Sequence, residues 1–253
     1  MFPRKIRVCE LFGIPIYLDF SLIILLVMFV MDFGSFTYGL SFALALAVSI
    51  TLHELGHSLT ARIFGYNARE ITLSLLGGCA SFINLPRKAS QEFLTAIAGP
   101  LVSFAIAGIA WLSLAYLPIS NSWTENVLGY TFWMNVMLGG FNLLPGFPMD
   151  GGRIFRSVAR LFTTRAKATY IAMIVGRGFA ILLGLRGLHS LVTGGGWGFI
   201  SLLIAWMIWR EGWREYQQAL VEEQWGGGWG WSARVSPPPY GGDEDDVEVR
   251  RRR

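Results

Sequence analysis

Residues 49–65 read SITLHELGHSLTARIFG. The run directly before them, Leu40 to Val48, contains no charged residue. Two histidines and a glutamate therefore sit inside what reads as a membrane helix. Ionisable groups there are costly, so they pair or serve a function. On a helix, residues four apart share one face, about 6 Å apart along the axis. His53 and His57 at that spacing can hold one Zn²⁺, and Glu54 beside them can act as general base on a metal-bound water. The bland alternative is a pair of helix histidines satisfied by neighbouring spans.

Composition supports the membrane setting. The chain has 253 residues, 53% of them hydrophobic and only 15% charged, where a soluble domain carries about 25% charged residues. Mean hydropathy is +0.46. The apolar residues fall in long runs rather than at amphipathic spacing. A span needs roughly 20 apolar residues, so this length allows about six spans and little else. Net charge is 21 − 17 = +4, and the basic residues cluster between the apolar runs. That pattern fits topology and gives no indication of nucleic-acid binding. Cys9 and Cys79 are far apart, which is no disulfide framework and no zinc ribbon. The first apolar run lacks a small-residue cleavage site, so no signal peptide is expected.

The sequence predicts an all-α polytopic membrane protein. Its spans are placed at residues 14–31, 40–64, 93–117, 127–144, 169–189 and 197–209. Arg4, Lys5 and Arg7, then Arg62 to Lys88, then Arg153 to Lys167, then Arg210 and Arg214 mark one side. The other three links carry no Lys or Arg. The positive-inside rule puts both termini in the cytosol. The expected location is an integral, multi-pass position in a prokaryotic cell membrane. Between spans two and three, REITLSLLGGCASF reads as strand, turn and strand, a small membrane-embedded β element. The six-span core is expected to end near residue 210. A short surface helix and then a disordered tail rich in Gly, Pro and charge are expected over 211–253.

A third metal ligand must arrive at the depth of the histidines. His57 lies about 8 Å and His53 about 14 Å from the level of Arg62. The fourth apolar run, entering in the same direction, ends in FNLLPGFPMDGGR, residues 141–153. Asp150 is the only acidic residue between Glu125 and Glu211. Pro145 and Pro148 break the helix before it, and Gly151-Gly152 loosen the chain after it. Irregular backbone at that depth needs a protein-lined, watered cavity. A helix-end acid paired with Arg153 is the plainer reading of Asp150 by itself.

Together the motifs HELGH at 53–57 and NLLPGFPMDGG at 142–152 resemble the site-2 protease family of intramembrane zinc metalloproteases. LLGGCAS and AGPLVSF extend the resemblance, which covers about residues 13 to 210. It implies one Zn²⁺ per chain held by His53, His57 and Asp150, with Glu54 as the base. It also implies that Asn142 helps bind the substrate backbone or the oxyanion. Met149 stands where leucine is common, and Ser103 where asparagine is common, which puts a secondary contact in doubt. The activity implied is regulated intramembrane proteolysis of a membrane-spanning protein substrate within the lipid bilayer. Gly77 and Gly78 are expected to admit an extended substrate backbone to a strand edge. The different class to weigh is a zinc-binding membrane scaffold or metal carrier that does not cut; storage alone has no need of Glu54.

Other residues carry less. His189 lacks a metal-spaced partner and suits the interface. Arg177 and Arg186 fall inside span five, either pairing with acids or snorkelling. Trp206, Trp209, Trp213 and Trp225 suit the membrane–water boundary. The topology gives a test: cysteines replacing Ser90 and Lys167 should label only from the cytosolic side, and one replacing Asn121 only from outside. Outside labelling at Lys167 would put Asp150 in the wrong leaflet.

Overall fold

The computed structural model describes residues 5–32, 35–74, 77–82, 88–194 and 198–226. Leu75 and Leu76, Trp197 and the expected tail 227–253 lie outside the described residues.

The chain opens with an antiparallel hairpin, β1 (Lys5–Leu11) and β2 (Ile14–Asp19). Phe12 and Gly13 turn it, both with positive φ, 52° and 76°. The Asp19 carboxylate accepts from the Ser21 N–H at 2.8 Å and so caps α1 (Phe20–Asp32). The long helix α2 (Phe36–Ile63) follows. It stops where Gly65 takes a φ of 84° and the Tyr66 N–H returns to the Ala61 carbonyl. Strands β3 (Ala68–Ser74) and β4 (Gly77–Phe82) come next. Then come α3 (Ala89–Tyr116), α4 (Ser122–Asn142), α5 (Asp150–Ala159), α6 (Arg165–Val192) and α7 (Gly198–Gly226).

The strands form one sheet in the order β1-β2-β3-β4. β2 and β3 are parallel, with Ile16 opposite Ile71 and Leu18 opposite Leu73. A parallel pair needs a long crossover, and here α1 and α2 provide it. Ile14, Ile16, Ile71 and Leu73 alternate onto one face and pack on Leu22, Ile50 and Leu55. The sheet is thereby fixed against the helix that carries both histidines. α2 also packs on α3 and α4, while α5 lies between α3 and α6, and α7 runs back along α6.

Among the described residues three helices, α2, α3 and α6, are long and apolar enough to cross a membrane, at 28 residues each. That is about 42 Å, against roughly 30 Å of hydrocarbon. They mark an integral membrane protein. The two expected strands are present and pair antiparallel, with Leu73 opposite Gly78. The expected first span differs. Residues 14–19 are strand, and α1 has only 13 residues. Continuous apolarity does not separate a buried strand from a helix, and the alternation of Ile14 and Ile16 is too short to stand out. The β element is accordingly larger than expected, because the N-terminal hairpin joins it. The last apolar run and the polar stretch after it are one helix, α7, rather than a span and a separate surface helix.

Ile71 is fully buried at the joint of sheet and α2. Ile71→Ala should cost about 2–5 kcal/mol. Unfolding in detergent, followed by circular dichroism, should show a clearly lowered midpoint with the same helix content at the start.

Candidate metal centre

His53, Glu54 and His57 are buried on one stretch of α2. The polar cost of that burial is met by α3. The His57 Nδ1–H donates to the Thr95 carbonyl at 2.7 Å. His53 Nδ1 lies 2.9 Å from the Ser103 hydroxyl. Both bonds engage Nδ1, which leaves each Nε2 facing the same point. The imidazoles stand edge-on, with ring centroids 4.9 Å apart and planes at 80°. Between Thr95 and Ser103 lies Gly99, where a Cβ would strike Nε2 of both histidines. The A-G-P stretch is therefore a close-approach surface for the two rings.

Asp150 arrives by a tightly folded connection. α4 ends at Asn142, and residues 143–149 turn before α5 starts at Asp150. A Cβ on Gly146 would come within 2.5 Å of the Gly176 Cα on α6. One on Gly151 would strike the carbonyls of Leu143 and Leu144. Phe147 is only 1% exposed and anchors this connection. The glycines that sequence reading took as loosening the chain instead let it pack tightly. Asp150 Oδ2 ends 3.1 Å from Nε2 of both His53 and His57.

Three ligand atoms thus lie within 4.8 Å of one another on buried or nearly buried side chains. Tetrahedral zinc with ligands at about 2.0–2.2 Å sets them roughly 3.4 Å apart. The donor set, two imidazole nitrogens and a carboxylate with further sites open, matches that of catalytic zinc. The Nδ1 hydrogen bonds are the outer partners such a site uses to orient its imidazoles. The residues therefore fit the metal.

Glu54 is buried beside the ligands, with its side chain against Gly78 of β4, where any Cβ would strike it. Gly77 opposes Ser74 at the start of the same strand. The Asn142 amide donates to the Leu138 carbonyl at 2.9 Å, one turn back on its own helix.

Several supporting residues escaped the sequence reading. Asn135, fully buried, donates to the Ser49 hydroxyl at 2.9 Å and so ties α4 to the turn of α2 before His53. Thr95 works through its backbone and leaves no side-chain signature. Arg156 on α5 is buried against two carboxylates, donating to Glu92 of α3 at 2.7 Å and to Glu215 of α7 at 2.8 Å. Burial pushes the Glu215 carboxyl up, but the charges of Arg156, Arg153 and Arg165 and the Arg156 hydrogen bond together outweigh this and hold it below the ordinary value. Basic residues after span four read as topology markers, which hid this role.

Comparison with known proteins agrees with the geometry. The profile of peptidase family M50 matches residues 41–121 and 118–185. A zinc metalloprotease of Methanocaldococcus jannaschii is 38% identical over 195 residues, 74% of this chain and 55% of that one. Stage IV sporulation protein FB of Bacillus subtilis is 30% identical over 154 residues, 60% of this chain and 51% of that one. The chain thus spans little more than half the length of these relatives. The solved structure of a site-2 protease from Methanocaldococcus jannaschii superposes with a TM-score of 0.64 at 32% identity, covering 84% of this chain and 95% of that one.

Gly99→Ala should displace both imidazoles, because the added methyl takes their place. Zinc measured by atomic emission should fall well below the wild-type content, while Gly108→Ala, on the same helix with open space around it, should keep it.

Proposed function

This chain belongs to peptidase family M50, and we propose that it is an intramembrane zinc endopeptidase of the site-2 type, cutting membrane-spanning segments of protein substrates. The observation that carries the reading is the convergence of His53, His57 and Asp150 with Glu54 beside them. In this reading α4, the first part of α7 and the short α1, which needs a locally thinned bilayer to cross with 13 residues, join α2, α3 and α6 in a six-span core with both termini cytosolic. The core ends near residue 210. The membrane is that of a prokaryotic cell.

His53, His57 and Asp150 would hold one zinc. Bound there, zinc supplies a Lewis acid that polarises a scissile carbonyl and lowers the pKa of water. Thr95 and Ser103 keep the imidazoles aimed. Glu54 takes the proton of the attacking water and delivers it to the leaving amine. Burial keeps bulk water out, so these charge interactions act at low dielectric.

A transmembrane helix hides its peptide bonds in its own ladder, so it must be met unwound. Its freed N–H and C=O groups then need partners, at several kcal/mol each if left unmade. β4 is an edge strand next to Glu54, and it supplies such partners without reading side chains. Asn142 would add an amide to the substrate backbone or the oxyanion.

Glu54→Gln should keep zinc and lower peptide cleavage at least about a hundredfold, since it removes the base and no ligand. Cleavage within tenfold of the parent would take Glu54 out of the mechanism and favour a zinc scaffold. Asp150→Ala should lose zinc and activity together; full zinc retention would place the third ligand elsewhere.

A further inference from the structure

Arg177 lies in the middle of α6, one of the three helices apolar and long enough to span. Its guanidinium carbon sits 4.5 Å from the ring centroid of Trp209 and 5.4 Å from that of Trp213, both on α7. Its Nε is buried and has no hydrogen-bond partner. No carboxylate pairs with it among the described residues. The acids of the facing part of α7 are engaged elsewhere, Glu211 with Arg214 and Glu215 with Arg156. Indole faces attract a cation but do not neutralise it. A charge held in a membrane helix calls for a counter-ion.

The place of the guanidinium says where that counter-ion comes from. Arg177 is 12 residues into α6, about 18 Å from its start. Helical side chains lean toward the N-terminus, so Arg177 reaches back toward that end. There Tyr170, Trp213 and Tyr216 pack together, with centroids 5.3 and 5.9 Å apart. Such an aromatic group marks the level of lipid headgroups. The flanking surface is also built for a lipid. Trp206, Trp209 and Trp213 are each about half exposed along one face of α7. The Arg210 guanidinium carbon lies 4.9 Å from the Trp206 ring centroid, which adds a second positive charge to that face.

We propose that Arg177, Trp209 and Trp213 form a binding site for an anionic phospholipid of the leaflet that meets the N-terminal end of α6. The guanidinium fork takes the phosphodiester oxygens. The indole faces take the glycerol and upper acyl segments, and Arg210 favours a lipid without a compensating headgroup cation. The site rests on α6 and α7 lying in the membrane and is independent of proteolysis.

The test is native mass spectrometry of the delipidated, zinc-loaded protein in detergent, titrated with dioleoylphosphatidylglycerol. Wild type should retain one lipid in preference to dioleoylphosphatidylcholine. Arg177→Gln should weaken retention about tenfold, and Arg177→Lys should recover only part of it. Arg186→Gln, an exposed arginine farther along α6, should bind as wild type. Equal zinc content and unfolding midpoint would show that the variants are folded. Unchanged retention in a folded Arg177→Gln overturns the proposal. Should that variant not fold, wild type alone decides: equal retention of the two lipids overturns it, as does displacement by inorganic phosphate, which would mean a site for the free ion.

Discussion

Two imidazoles and a carboxylate, the last 97 residues beyond His53, meet at one buried point on a helix long and apolar enough to cross a membrane. Polar groups buried there are costly unless each finds a partner. Most of the architecture answers to that requirement. α3 lies against α2 closely enough for Thr95 and Ser103 to take both Nδ1 atoms. That closeness exists because residue 99 has no side chain. The turn before Asp150 closes on α6 for the same reason, glycine against glycine. The sheet packs its aliphatic face on α2 from the other side. A helix that buries three ionisable groups is thus braced on each flank.

The buried Arg156 shows a second layer of the same logic. It links α5, which begins with Asp150, to α3, which holds both imidazoles by their Nδ1 atoms, and to α7. Breaking such a pair strands a buried charge, at about 3–5 kcal/mol. The arrangement therefore does more to fix relative helix positions than to add net stability.

The sequence made legible what depends on residue type at fixed spacing. HELGH on a helix, Asp150 as the lone acid of its region and the strand pair around Gly77-Gly78 all stand where the residues imply. What depends on three-dimensional approach was hidden. Nothing in T-A-I-A-G-P announces that a backbone carbonyl will hold His57. Ile14–Asp19 is apolar enough for a span, and only its partners β1 and β3 make it a strand. Arg156 looked like one more positive charge on the inner side until Glu92 and Glu215, distant in sequence, were seen to enclose it. Ser103, read as a departure that weakened a contact, is long enough to make one.

The contact between Gly78 and Glu54 has a consequence for the strand as a whole. A strand one residue out of register turns every side chain to the opposite face. In β4 such a slip is checked at a single notch. Only a residue without a Cβ can occupy the place against the glutamate, and Gly77 is the one neighbour that qualifies. The hairpin is thereby indexed to the carboxylate like a rule clamped at its zero mark. Distances counted along its edge start from Glu54 itself.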